Sequence, residues 1–132
     1  MREIIFRGKT KQGEWKYGYL YITHNGEYEV GCYNETTNIE RVTHIVIPET
    51  VGQYTGLTDK NGKMIFEGDV VEAYDDIYVN GFAEVKGKVF YNDGAFDIDV
   101  EDIGYIPVYS YGEENIEVIG NIHDNPDLLK GE

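Results

Sequence analysis

The chain has 132 residues, a length that fits one domain with its own hydrophobic core rather than two. Hydrophobic residues make up 41% and aromatic residues 14%, which excludes a disordered tail, and no segment approaches the roughly 20 apolar residues of a membrane span. Eleven Lys and Arg against 25 Asp and Glu give a net charge of −14, which is far from the basic balance of duplex-DNA-binding domains.

The residue choices predict an all-β fold. Val and Ile together number 26, whereas Ala, Leu and Met together number nine, and side chains branched at Cβ favour strands over helices. Alternation of apolar and polar residues predicts strands, in chain order, at 15–22, 27–33, 41–47, 69–74, 83–91, 95–100 and 116–122.

Turn signals separate these strands. His24-Asn25-Gly26 predicts a type I′ hairpin turn, because Asn-Gly tolerates the positive φ angles of that turn, and Asp59–Gly62 and Asn92–Gly94 predict further turns. Asn125 followed by Pro126 predicts one short helical turn near the end, with Asn as its cap. Two leucines in that turn are expected to plug an open end of the sheets.

The first long strand carries aromatic residues at alternate positions, Trp15, Tyr17, Tyr19 and Tyr21, and alternation sends all four to one face. One interpretation is a platform on which bases or sugars stack, with lysines beside the backbone of a single nucleic-acid strand, at Lys9, Lys11 and Lys16. The favoured interpretation is structural: the rings pack against a second sheet or another subunit.

Asp97, Asp99 and Glu101 alternate with apolar residues, so one acidic face is expected. Together with Asp93 or Asp102 they could collect a calcium or magnesium ion, but the spaced oxygen ligands and the glycine of an EF-hand loop are missing. A solvated surface is therefore favoured, and neither a metal nor another cofactor is expected.

Nucleophiles and bases are few. Ser110 lies in no nucleophile elbow, and Cys32 lies in a strand-like run where a buried, unreactive thiol is typical. His24, His44 and His123 are not spaced as metal ligands, and no phosphate loop or dinucleotide fingerprint occurs. No catalytic residue is assigned, and the chain is expected not to be an enzyme.

The position of the charges bears on partners and location. Residues 1–66 hold eight basic and eight acidic side chains, whereas residues 67–132 hold three and 17. A homo-oligomer is expected, since the basic start of one copy can attract the acidic half of another; a basic protein is the other partner considered, and duplex DNA and membranes are not expected. The charged N-terminus and the single cysteine predict a reducing cytoplasm as the location.

Several segments together resemble the YopX family, from one end of the chain to the other: Met1–Arg7, Gln53–Lys63, Phe66–Val71, Lys88–Val100 and Asn115–Leu129. Between Thr10 and Pro48 no specific motif is recognised. The resemblance implies a small phage or prophage protein whose fold consists of several coiled antiparallel β-sheets, including a portion similar to an SH3-like barrel. The family has no established activity, so no catalytic residues carry over.

On this resemblance the chain is expected to be one domain, with an N-terminal β lobe at 1–52 and a barrel-like lobe at 53–132. The family's signature residues are interpreted as structural: Gly56, Gly62, Gly68, Asp69, Gly120, Asn125 and Pro126. The leading functional hypothesis is a non-catalytic binding or assembly module. The alternatives are an acidic host-interference protein that imitates the charge of DNA and, third, an enzyme with a carboxylate site.

Overall fold

The computed structural model describes residues 3–33, 41–74, 84–101 and 103–129. Within these residues the regular structure consists of eleven β-strands, in two antiparallel sheets, and four 3₁₀ turns of three or four residues. The all-β prediction is confirmed, and the bounds of the seven predicted strands agree with the structure to within two residues.

The chain divides into two compact units, Met1–Tyr54 and Thr55–Glu132, and one strand begins in the first unit and ends in the second. The first unit holds β1 (Phe6–Lys9), β2 (Trp15–Ile22), β3 (Tyr28–Tyr33), β4 (Arg41–Ile45), a 3₁₀ turn (Pro48–Thr50) and the start of β5 (Gly52–Thr58). Its strands lie in the order β4-β3-β2-β1-β5. Neither β1 nor β5 was predicted, because neither shows a clean apolar alternation.

Strand β2 changes partner along its length. Its first half pairs with β1 up to Phe6–Gly18, and its second half pairs with β3 from Tyr19–Gly31 onward. Gly18 has a φ of +151°, and a Cβ there would lie 2.3 Å from the carbonyl oxygen of Gly31. Only glycine fits this position, because the backbones approach closely where the strand bends from one neighbour to the other.

The small core of the first unit also depends on a close approach at a glycine. Val30 and Val46 are buried, and the Val46 side chain occupies the space that a Cβ on Gly8 would need, 2.7 Å from its Cγ2. The Ile47 N–H donates to the Lys9 carbonyl at 2.8 Å, which holds the segment after β4 against β1.

The second unit contains the end of β5 and a hairpin partner, followed by a five-stranded antiparallel sheet in the order β10-β9-β8-β7-β11. The strands are β6 (Met64–Phe66), β7 (Asp69–Tyr74), β8 (Glu84–Asn92), β9 (Ala95–Val100), β10 (Gly104–Pro107) and β11 (Ile116–Asn121). Three 3₁₀ turns complete it, Val108–Ser110, Glu113–Asn115 and Pro126–Leu129. Strands β6 and β10, with three and four residues, are too short to show a period and were not predicted.

One face of this sheet forms the main core. Alternate residues of β7, β8 and β9 are buried together with residues of β6, β10 and β11, in a cluster made of Ile65, Val71, Ala73, Val85, Val89, Ile98, Val100, Ile106, Val108, Tyr111, Ile116 and Val118. By alternation, Glu72, Lys86 and Asp99 of the same strands fall on the opposite face of the sheet.

Three hairpin turns share one five-residue arrangement, Thr10–Glu14, Thr23–Glu27 and Asp59–Lys63. In each turn the first N–H donates to the fifth carbonyl, the N–H of the fourth residue, a glycine, donates to the first carbonyl, and the first side chain accepts the fifth N–H. The glycine alone has positive φ, as in a type I turn followed by a left-handed residue.

The type I′ assignment at Asn25-Gly26 is therefore wrong, because Gly26 has positive φ and Asn25 does not. A type I′ turn instead closes β8–β9, where Asp93 (φ 49°) and Gly94 (φ 92°) both lie in the left-handed region and Asn92 pairs with Ala95.

Candidate functional site

The aromatic stripe of β2 includes two exposed rings. Tyr17 and Tyr19 expose 50% and 54% of their surface, whereas Trp15 and Tyr21 are partly buried. The stripe is thus not packed away as core: its two central rings are accessible. We call the surface formed by Tyr17 and Tyr19 the tyrosine face.

The cations beside the stripe differ from those expected. The Arg7 guanidinium lies 4.7 Å from the centre of the Trp15 ring and the Lys9 ammonium lies 5.9 Å from it, since β1 pairs these residues with Tyr17 and Trp15. Arg7 was not singled out from the sequence, because only the pairing of β1 with β2 brings it to the stripe. Its side chain is 5% exposed, so its charge is not offered to a ligand phosphate.

The other two expected lysines lie elsewhere. Lys16 is in register with Gly8 at an alternate position of the strand, and its ammonium lies 3.5 Å from the Glu14 carboxylate. Lys11 lies in the exposed turn between β1 and β2. A stripe flanked by one partly buried lysine and a buried arginine has little to hold a nucleic-acid backbone, which favours a protein partner.

The acidic residues of β9 do not form the single solvated face that was expected. Asp97 is 8% exposed, and its Oδ2 accepts a hydrogen bond from the Asn92 amide at 3.1 Å. Asp99 is partly buried, and Glu101 lies in a turn beyond the last residue of β9. Asp102, offered as a further metal ligand, lies outside the described residues.

A groove of about 290 Å³ lies in the second unit. Its walls contain four glutamates and one lysine, contributed by the β5–β6 turn, β7, β8, the turn before β11 and β11 itself: Lys60, Glu72, Ala73, Tyr74, Glu84, Glu114, Asn115, Ile116 and Glu117. The Lys60 ammonium pairs with the Glu117 carboxylate at 3.3 Å, and the lining residues together carry more negative than positive charge. No sequence signal marks it, because its residues come from separate segments.

The β5–β6 turn contains a buried aspartate that sequence analysis treated only as part of a turn. Asp59 is 3% exposed; its Oδ1 accepts the N–H groups of Asn61 and Lys63, and its Oδ2 accepts the N–H of Val118 in β11, each at 2.9 Å. Burial by itself would raise the pKa of Asp59, but these three donors, with the Lys63 charge, hold it below the ordinary value of 3.8. Asp59 therefore stays ionised, and its carboxylate connects the β5–β6 turn to β11.

Among the signature residues, Gly62 and Gly68 lie in turns of the second unit, Asp69 begins β7, and Gly56 lies within β5. Gly56, Gly62 and Gly68 all have positive φ. Gly68 donates its N–H to Val89 at 2.8 Å and accepts the Ile122 N–H at 2.9 Å, while Oδ2 of Asp69, 1% exposed, accepts the Phe66 N–H at 2.8 Å. These bonds give the residues a structural function in the turn between β6 and β7.

The C-terminal signature packs against β11. Gly120 lies at a bulge of β11, and a Cβ there would lie 2.6 Å from both the Asn125 Oδ1 and the Leu128 Cδ1. Pro126 starts the expected turn, which is a 3₁₀ turn. The Asn125 Oδ1 accepts the Asn121 N–H at 3.2 Å, and its carbonyl accepts the Leu128 N–H at 3.1 Å.

Ser110 and Cys32 were the two nucleophiles considered. The Ser110 hydroxyl donates to the Pro107 carbonyl at 2.7 Å, and the Cys32 side chain lies outside the described part of the chain. In the described ranges no three His, Cys, Asp or Glu side chains are grouped to hold a metal ion, and no described helix could cross a membrane.

Comparison with known proteins identifies a family and several similar solved structures. The family described as YopX protein matches residues 5–130. Protein EF1440 from Enterococcus faecalis is 25% identical with a TM-score of 0.58, over 98% of this chain and 100% of that one. Protein yopX from Bacillus subtilis is 21% identical with a TM-score of 0.63, over 100% and 99%. No curated protein sequence matches.

Proposed function

The chain belongs to the YopX family, and from this premise we propose that it is a non-catalytic binding or assembly module, encoded by a phage or prophage and acting in the host cytoplasm. Self-association into a small homo-oligomer is part of the proposal, and so is an SH3-like barrel portion within the second unit. The phage origin rests on the family resemblance alone. The binding role rests on the chain's own surface.

The observation that carries the binding role is the tyrosine face. Two tyrosine rings on alternate positions of one strand each leave about half of their surface accessible. Tyrosine is enriched at the centres of protein interfaces, because its ring buries apolar area while its hydroxyl still forms hydrogen bonds. Arg7, stacked on Trp15 at 4.7 Å, supports the same strand from its β1 neighbour. The partner expected on this face is a protein.

The test is comparative affinity capture. The wild-type chain, a Tyr17→Ala/Tyr19→Ala variant and a control variant, Tyr91→Ala/Tyr109→Ala, are used as baits in lysate of phage-infected cells. The control removes two tyrosines of the second unit with exposed fractions of 57% and 74%. We expect the amount of specifically captured protein to fall at least about tenfold with the first variant and to stay unchanged with the control. Truncation of hot-spot residues at an interface weakens binding by this much. Equal capture by all three baits would contradict the proposal.

A second candidate function is favoured by the groove in the second unit. That unit holds five basic and 18 acidic side chains, and four of its glutamates line the groove. A surface of this sign attracts basic proteins and speeds their encounter, so it could occupy a DNA-binding site on a host protein. Capture through the groove would be lost at high salt and by Glu72→Gln/Glu84→Gln, whereas capture through the tyrosine face would persist.

A further inference from the structure

The outer edges of the five-stranded sheet in the second unit are protected against pairing with another strand. At the β11 edge, the Val118 N–H donates to the Asp59 carboxylate and the Ile116 carbonyl accepts the Lys60 N–H, both at 2.9 Å. At the β10 edge the strand has four residues and ends in Pro107, which has no N–H. Covering an edge or placing proline on it are two ways in which proteins prevent strand addition.

Strand β4 of the first unit has neither protection from the residues that the structure describes. It is the terminal strand in the order β4-β3-β2-β1-β5, and positions 42–45 read Val-Thr-His-Ile, without proline, lysine or a carboxylate. The Val46 N–H donates to the Tyr28 carbonyl at 2.9 Å, so even-numbered residues of β4 bond to β3. The backbone groups of Thr43 and Ile45 therefore point to the outer edge, and within the described ranges no other strand pairs with them.

Each face of the sheet carries one exposed apolar side chain at this edge, beside His44 on one face and Thr43 on the other. Val42 and Ile45, on opposite faces, expose 43% and 53% of their surface. Two strands away in the same sheet, Ile22 exposes 56%. A strand added at β4 would bury apolar area on both faces in addition to forming main-chain hydrogen bonds, which is the pattern of β-augmentation.

We propose that β4 is a docking edge for a second copy of this chain, which adds its own β4 antiparallel to form one sheet across two copies. Around a two-fold axis the outward groups of Thr43 and Ile45 meet the same groups of the other copy, so the edge is complementary to itself. The proposal rests on the self-association part of the proposed function and is independent of the tyrosine face.

Charge favours a second copy over a basic partner at this edge. The first unit holds six basic and seven acidic side chains, net −1, whereas the second holds five and 18, net −13. Two copies that meet through their first units therefore join nearly neutral surfaces, and a basic partner is attracted to the second unit instead. The contact is apolar and main-chain in character, so it should persist at high salt.

The experiment is sedimentation equilibrium of the full chain at low and high salt, with three variants. Ile45→Lys places a charge on the edge, and Thr43→Pro removes an outward N–H without breaking a bond to β3. Ile22→Lys is the matched control, with the same chemistry at a similarly exposed position away from the edge. We expect a wild-type and Ile22→Lys dimer at both salts, and a dissociation constant raised at least about tenfold in the other two.

Several results would overturn the proposal: a wild-type monomer of 15.1 kDa at micromolar concentration, a dimer that salt dissociates, or dimers unaffected by Ile45→Lys and Thr43→Pro. Far-ultraviolet circular dichroism and the emission of Trp15, the single tryptophan, check that each variant is folded. The Tyr17→Ala/Tyr19→Ala variant should sediment as the wild type does. The proposal for the β4 edge and the proposal for the tyrosine face can therefore be contradicted independently of each other.

Discussion

The Oδ2 atom of Asp59 accepts the backbone N–H of Val118, 59 residues further along the chain, at 2.9 Å. The other oxygen of the same carboxylate closes the turn in which Asp59 lies. Thr10 and Thr23 occupy the equivalent position in the two other turns of this design and close them with one hydroxyl oxygen. An aspartate is required at position 59 because one side chain must satisfy its own turn and the edge of β11.

Replacing Asp59 with threonine should separate these two functions. Asp59→Thr keeps an acceptor for the Lys63 N–H and leaves the buried Val118 N–H without its carboxylate, so a loss of about 1–3 kcal/mol is expected in the free energy of unfolding. Asp59→Ala should lose more, because it also removes the turn bonds. Urea unfolding measures both values. An Asp59→Thr protein as stable as the wild type would show that the bond to β11 contributes nothing.

The depressed pKa of Asp59 predicts a dependence of stability on pH. Because the pKa in the folded chain lies below 3.8, the ionised form contributes stability above about pH 4, and this stability is lost as the pH falls through the folded-state pKa. The free energy of unfolding of the wild type should therefore fall more steeply below pH 4 than that of Asp59→Thr. Parallel curves for the two proteins in this acid range would contradict the prediction.

Gly18 should tolerate alanine much less well than another glycine with positive φ. Gly18→Ala places a Cβ 2.3 Å from the Gly31 carbonyl oxygen, whereas Gly13→Ala, at φ +91°, meets no atom within 4 Å. The control should cost about 1–2 kcal/mol for the left-handed backbone alone, and Gly18→Ala should exceed it because β3 must move. Denaturant unfolding followed by Trp15 emission measures both. Equal losses would mean that β2 can change partner without glycine.

Duplex DNA should not bind at physiological salt. The net charge is −14, and the arginine nearest to the aromatic stripe, Arg7, is 5% exposed. Phosphate contacts need accessible positive charge, so a gel shift should detect no complex at micromolar protein. Submicromolar binding that weakens steeply with salt would show that the basic first 20 residues dominate, and would return the stripe to consideration as a base-stacking platform.

The sequence by itself determined what depends on near neighbours. Alternation located β2 and β9, because a strand exposes its period of two directly in the order of residues. The same local pattern identified the aromatic stripe and the Asp93-Gly94 turn, although it assigned the type I′ geometry to Asn25-Gly26 instead. Short strands such as β6 carry no period and left no signal.

The tertiary structure decided what depends on residues far apart in the chain. The pairing of β1 with β2 put Arg7, and not Lys16, beside the aromatic stripe. Because β11 lies next to the β5–β6 turn, the Asp59 carboxylate is buried, and it accepts a hydrogen bond from β11 as well as from its own turn. Four separate segments formed the acidic groove. Each outcome depends on which strands become neighbours and in which register, and a register is set by the packing of whole faces, which no short run of residues contains.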